Sequence, residues 1–241
     1  MDNDLGRDIG DVLAYRSSYY DLFRRIFLWE LPLELFKELV EAAKEEQDGG
    51  DLNCSHDAAL KSFLKKVPTD HVTAVYRDIQ IEYTRLFLGP HHLPAPPYES
   101  VYRSPQKLMM QDVTMEVRSI YLNNGFRVAR LNQEPDDTIG IELEFMCALS
   151  NSSMRAFDDQ DCARLRKLVS VQREFCDLHL CRWVPQFCGD ILKDTKSDFW
   201  KSVAVSIRSF LEQDIVELSD LMKHLEVPAE PSFAGEGQAT P

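Results

Sequence analysis

The sequence predicts an all-α fold, a single globular domain of about ten helices, on three observations. Apolar residues recur at helical spacing along most of the chain, and the strict alternation of a half-buried strand is almost absent. Prolines and glycine-bearing clusters fall where that periodicity lapses, so they read as punctuation between helices. The 241 residues, 44% hydrophobic and 28% charged, suit one large or two small soluble domains and exclude disorder or collagen-like structure as overall descriptions. No repeat of fixed period is visible, which argues against a helical solenoid.

Ile9, Val12, Leu13, Tyr19, Tyr20, Phe23, Ile26 and Phe27 form one apolar stripe. Pro32 separates that first helix from a second carrying Leu35, Phe36, Leu39, Val40 and Ala43. The polar run Glu45 to Asp51, with Gly49 and Gly50, reads as a loop. Ala59, Leu60, Phe63 and Leu64 predict a short third helix that must end before Pro68, because the residue preceding a proline is pushed out of the helical region. Thr69 or Asp70 can cap the next helix, whose Val72, Val75, Ile79, Tyr83, Leu86 and Phe87 lead to Gly89-Pro90. Pro90, Pro94, Pro96, Pro97 and Pro105 then remove backbone donors and fix φ, which predicts an extended, semi-rigid loop over 88–105.

Helical spacing resumes with Met109, Val113, Val117, Ile120 and Tyr121, and Asn123-Asn124-Gly125 supplies a left-handed C-terminal cap. Glu134-Pro135-Asp136-Asp137 opens a helix with Ile139, Leu143, Met146 and Cys147 inside, and Asp158 or Asp159 starts another that runs to Leu180. Trp183-Val-Pro-Gln-Phe is expected to turn the chain into a short helix bearing Ile191 and Leu192. Ser197 caps the last helix, which keeps its period from Trp200 to Leu225. Residues 1–226 thus form the domain, and 227–241, rich in Pro, Ala, Gly, Ser and Gln, are expected to be a disordered tail.

Charge and composition narrow the function. With 27 Lys plus Arg against 40 Asp plus Glu, the net charge of −13 repels a phosphate backbone and forfeits counterion release. Nucleic acid is therefore excluded as a partner and a cationic peptide is favoured. The longest unbroken apolar run, Phe145 to Leu149, is far short of the roughly 20 residues of a membrane span. The acidic N-terminus lacks the apolar stretch of a secretory signal, so a cytoplasmic location is expected. The six cysteines, spread from Cys54 to Cys188, read as reduced core residues.

Enzymatic signatures fare poorly. No Gly-x-x-x-x-Gly-Lys-Ser/Thr loop is present to cradle a nucleotide phosphate. His56-Asp57 matches a dipeptide of helical metal-dependent phosphohydrolases, yet that chemistry needs a further His upstream and His56 is the first in the chain. Cys176, His179, Cys181 and Cys188 lack a CxxC pair, and Cys176 and Cys181 would lie about 140° apart on a regular helix. No metal site, cofactor or catalytic residue is expected. Asn53 and Asn151 sit in glycosylation patterns that a cytoplasmic chain would not use.

Two stretches are harder to explain as packing alone. In the first, Glu82-Tyr83-Thr-Arg-Leu86-Phe87-Leu-Gly-Pro90 leads into Pro97-Tyr98-Glu99-Ser-Val-Tyr102, an aromatic helix end followed by a proline-stiffened aromatic loop. Such a surface has little entropy left to lose on binding; the simpler explanation, which composition alone favours, is that these rings fill the core. The second, Glu134 to Glu144, holds five acids and no Lys or Arg; its simpler explanation is a helix N-terminus complementing the macrodipole.

At these residues the chain resembles the TorD/DmsD family of chaperones for molybdenum reductases. Glu-Tyr-x-x-Leu-Phe-x-Gly-Pro (82–90), Pro-Tyr-Glu-Ser-Val-Tyr (97–102) and Glu-Pro-Asp-Asp (134–137) carry the likeness in order, followed by Ile139-Gly140, Glu142 to Met146, His179, Trp183, Pro185 and Phe187. Thr138 stands where the family often has His. The resemblance implies a TorD-like fold and a cytoplasmic, non-catalytic chaperone. It would bind the twin-arginine signal peptide of the catalytic subunit of a molybdenum reductase or dehydrogenase, and assist molybdopterin insertion and assembly before export. The Pro-rich loop and Glu134 to Asp137 are expected to meet beside one groove. Tyr83, Leu86, Phe87, Tyr98 and Tyr102 would give apolar contacts, Glu82, Glu99, Asp136 and Asp137 negative charge, and Pro90, Pro97 and Pro135 a fixed backbone. Of the two aspartates, Asp137 is expected to point outward. The alternatives are a metal-dependent hydrolase using His56 and Asp57, or a self-associating scaffold. Long terminal helices permit a domain-swapped homodimer without requiring one.

Overall fold

The computed structural model describes residues 3–45, 57–89, 93–104, 108–110, 112–129 and 134–226. The first two stripes become α1 (Asn3–Phe27) and α2 (Leu33–Glu45), followed by α3 (Ala58–Lys66), a 3-10 turn (Thr69–His71) and α4 (Val72–Tyr83), which runs into a π turn (Thr84–Leu88). A short α5 (Glu99–Arg103) precedes α6 (Asp112–Asn123), α7 (Ile139–Asp158) and α8 (Cys162–Phe175). A second π turn (Cys176–Leu180) joins α8 to α9 (Cys181–Asp194), and α10 (Asp198–Glu226) ends the described chain. Among the described residues there is no strand, only an isolated antiparallel bridge between Tyr98 and Thr138, so the fold is all-α as predicted. No helix of these residues is long and apolar enough to cross a membrane. The loop at Gly49-Gly50, His56, Pro90, Asn53, Cys54 and the 227–241 tail lie outside the described residues.

The stripe of α1 lies along α7, α8 covers α7, and α10 packs on α3, α8 and α9. Where they converge, Phe87 sits 5.0 Å from the Trp200 ring and 5.8 Å from Phe187, with Phe27 against all three. Beside this aromatic core, buried Arg16 of α1 donates through Nε to Asp214 Oδ1 of α10 at 2.5 Å, and the Tyr20 hydroxyl donates to Oδ2 at 2.6 Å. Burial leaves the Arg16 and Asp214 charges each other as the main compensation, so removing either would cost far more than the pair contributes.

Several local expectations change. The proline loop is not extended throughout, because Glu99–Arg103 forms a turn of helix whose first amide is held by a distant partner described below. Asp161, not Asp158 or Asp159, caps α8, its carboxylate accepting from the Arg164 N–H at 3.0 Å after a left-handed Gln160. His71 rather than Thr69 or Asp70 precedes α4, with no side-chain cap. Pro185 does not turn the chain: α8, the π turn and α9 run on as one continuous helix, and burial of Trp183 and Phe187 outweighs the donor that Pro185 lacks. Gly125, at φ 73°, ends α6 as the sequence predicts.

Candidate functional site

The Pro-rich loop and the acidic motif meet through backbone and side chain. Ile139 N–H donates to Pro97 O at 3.0 Å, and Glu99 N–H donates to Asp137 O at 2.9 Å. The Asp137 carboxylate accepts from the Ser100 N–H at 2.8 Å. It therefore satisfies an open amide at the start of α5, a helix thirty-odd residues away, rather than one on its own helix. Asp136 takes the Nε–H of Arg118 on α6, and its carbonyl accepts the Tyr121 hydroxyl at 3.1 Å. Both aspartates are fully buried. The outward orientation expected of Asp137 is thus corrected: an acid that can satisfy a buried helix start is drawn inward to it.

Glu99 and Glu82 are also turned inward. Glu99, fully buried, is held by His179 Nδ1 at 2.9 Å and accepts Arg103 Nη1 at 2.7 Å. Glu142, also fully buried, accepts Trp183 Nε1–H at 3.0 Å through Oε2. Burial, and then the Glu99 charge, push Glu142 well above the usual carboxylate range, which favours its protonated form. Glu82 accepts Arg85 at 2.7 and 2.9 Å, the Thr195 hydroxyl at 2.7 Å and Lys196 N–H at 2.8 Å, tying α4 to the segment before α10. Its hydrogen bond from Arg85, supported by Thr195 and Lys196, outweighs burial and lowers its carboxyl to about 2.

Beside this buried network opens a cleft of about 360 Å³, within the size range of ligand pockets. Of the sequence-predicted residues it brings together Tyr83, Phe87, Pro97 and Tyr98. Phe87 and Tyr83 form its inner wall and are nearly buried, so they serve the core at the same time. Leu86 is wholly core. Tyr102 is directed to α9, where its hydroxyl donates to Asp190 Oδ2 at 3.1 Å and its ring lies 5.5 Å from Trp183. Pro135 is partly buried and not among the lining residues.

The cleft also takes Glu134, which the sequence reading placed beside the groove, and residues that reading did not assign to it. Trp29 and Glu30, in the segment linking α1 to α2, line it together with Leu88, Glu134 and Thr138. Trp29 is 45% exposed and Leu88 53%, so the mouth is apolar and open. Tyr83 is raised to about 12 by burial and then by the negative Glu30 and Glu134, and Tyr98 is raised by burial and then by Glu134; all four residues line the same cleft. Gly140 forms the back wall: a Cβ there would stand 2.5 Å from Leu28 Cα, so only glycine lets α7 approach the end of α1 so closely. A larger hollow, about 470 Å³ and lined by Glu116, Asn123 and Glu174, contains none of the predicted site residues.

Asp57, half of the hydrolase alternative, accepts the Tyr19 hydroxyl at 2.5 Å and pairs with Lys61 at 3.1 Å. Among the described residues no group of three His, Cys, Asp or Glu is arranged to hold a metal ion.

An all-helical domain whose cleft is built by three ordered motifs is the pattern of a family of assembly chaperones. The chain matches the family model described as nitrate reductase delta subunit over residues 54–189. It is 30% identical over 225 residues to the chaperone protein TorD of Vibrio atlanticus (strain LGP32), covering 85% of this chain and 96% of the relative. With TorD of Vibrio cholerae serotype O1 (strain ATCC 39541 / Classical Ogawa 395 / O395) the identity is 26% over 213 residues, covering 81% and 91%. With the probable Tat proofreading chaperone DmsD of Haemophilus influenzae it is 26% over 164 residues, covering 68% and 71%. The chain belongs to the TorD/DmsD family.

Proposed function

We propose that the protein is a cytoplasmic chaperone that binds the twin-arginine signal peptide of a molybdopterin-containing oxidoreductase subunit and assists its cofactor insertion and assembly before export. The observation that carries this reading is the cleft, which joins exposed Trp29 and Leu88 to an aromatic wall and carries Glu30 and Glu134 beside it. An apolar segment fits the wall, while the two carboxylates suit guanidinium groups through charge-assisted hydrogen bonds. The net charge of −13 supports encounter with a cationic leader. The relatives' names, Tat proofreading chaperone and chaperone protein TorD, support the same reading.

In this proposal Tyr98, Pro97, Tyr83 and Phe87 touch the leader, whereas Glu82, Leu86, Glu99, Tyr102, Pro135, Asp136 and Asp137 hold the surface that does. Calorimetry of a synthetic leader against a scrambled peptide of equal charge tests recognition. The leader is expected to bind at micromolar Kd or tighter, roughly −8 kcal/mol, and equal binding of both peptides would refute specificity. Tyr98 is partly exposed and its described hydrogen bonds are through backbone. Tyr98→Ala should therefore weaken binding by about 2 kcal/mol while melting near the parent temperature; unaltered affinity would remove Tyr98 from the contact surface.

A further inference from the structure

The joint between α8 and α9, away from the cleft, holds a pair of thiols. The π turn places them together: Cys181 N–H donates to Cys176 O, five residues back, so the two residues stack where a regular helix would separate them. Their Sγ atoms are 3.6 Å apart. Cys176 is buried and Cys181 partly exposed. Contact with the Cys176 thiol holds Cys181 below its ordinary value, while that contact and burial hold Cys176 well above. Asp177 and Arg182 flank the pair on its own rod, and Asp214 of α10 and Arg16 of α1 face it from the helices packed behind. A partly exposed cysteine in contact with a buried one is the arrangement of an attacking cysteine and a resolving one.

We propose that Cys176 and Cys181 are a redox-reactive dithiol, oxidised by a hydroperoxide to an intrachain disulfide that closes the π turn. The Cys181 thiolate attacks a peroxide oxygen, the O–O bond breaks and hydroxide (or alkoxide) leaves, giving a sulfenic acid. The Cys176 thiol then attacks that sulfur, the S–O bond breaks, water leaves and the S–S bond forms. Two thiols lose two electrons and the peroxide gains them. The sulfurs close from 3.6 Å to a bond of about 2.05 Å. The same π turn carries His179, which holds Glu99 at the start of α5, so the disulfide staples the joint from which that helix is held.

Full-length protein is treated with hydrogen peroxide, denatured, alkylated and digested with trypsin, which leaves both cysteines in the 174–182 peptide. That peptide is expected to lose two hydrogens and escape alkylation, with Cys181 reacting about tenfold faster than the exposed Cys162. In Cys176→Ser, Cys181 should stop at a sulfenic acid that dimedone traps; in Cys181→Ser, Cys176 should remain a thiol. Full alkylation of both cysteines in peroxide-treated wild type, or reaction of Cys181 no faster than Cys162, would overturn the proposal. The wild-type measurements decide it even if a serine variant folds poorly.

Discussion

Two sets of carboxylates, one buried behind the cleft and one lining it, differ in what surrounds them. Glu99, Asp136, Asp137 and Glu142 are fully buried, each engaged by an amide, guanidinium, imidazole or indole donor. Glu30 and Glu134 line the cleft together with Tyr83 and Tyr98. Burying a carboxylate is costly unless donors meet it, so the inner set is committed to fixing loop to helix, whereas in the function proposed above the outer set is the one that would meet the leader. Acidity by itself does not mark a binding residue; the direction of the nearest donor does.

The sharpest way to break the inner architecture without touching a carboxylate is Gly140→Ala. Its methyl would collide with the Leu28 backbone, which cannot rotate away as a side chain can. We expect a loss of roughly 3 kcal/mol or more, measured by denaturant unfolding, and a mutant as stable as the parent would show that α7 can shift from α1 freely.

Glu142→Gln tests the buried proton. The native carboxyl is raised above its ordinary 4.5, so from about pH 4.5 upward the folded state binds more protons than the unfolded one, and wild-type stability falls relative to a residue that does not titrate. Below pH 4.5 both forms are protonated and the difference is flat. The stability gap between wild type and Glu142→Gln should therefore tilt against wild type by up to about 1.4 kcal/mol per pH unit. The amide still offers an acceptor to Trp183. Parallel stability curves from pH 5 to 8 would mean that Glu142 is not held protonated.

Asp137 separates capping from charge. Asp137→Ala strands the buried Ser100 N–H and should cost about 2 kcal/mol of folding stability, whereas Asp137→Asn keeps an accepting oxygen and should melt close to wild type. Equal losses in thermal melts would assign the effect to the charge instead.

Much of this fold was legible because its signals are local. The stripe from Ile9 to Phe27, the glycine cap at 125 and the meeting of the 97–99 and 137–139 segments all follow from residues close in sequence or from the family likeness. The partners of the acids were not legible. Asp136 is claimed by Arg118 and Glu99 by His179, residues on other helices whose approach no periodicity reports. Trp29 and Glu30 lie between helices, where neither spacing nor motif singles them out. Nor does the widening of α8 into a π turn leave a compositional trace; regular helical geometry therefore put Cys176 and Cys181 on separate faces when their sulfurs touch.

The smallest expected effect belongs to the outer set, and it is the one that defines that set. Glu134 is partly exposed, in the acidic motif but facing the cleft. A carboxylate at such a rim is screened by water and ions, so Glu134→Gln should weaken leader binding by only about 1 kcal/mol at low salt. Its signature is the salt response. Affinity of wild type should fall as ionic strength rises and the Debye length shrinks from about 30 Å at 0.01 M to about 8 Å at 0.15 M, while the mutant starts lower and falls less steeply. Glu30→Gln should behave alike, and the two together should lose most of the salt dependence that the leader's arginines contribute. Folding stability should be nearly unmoved in both, in contrast to Asp137→Ala. An unchanged salt slope in well-folded Glu30→Gln/Glu134→Gln protein would move the arginine contacts to another part of the acidic surface, with the apolar cleft still to be judged by Tyr98→Ala.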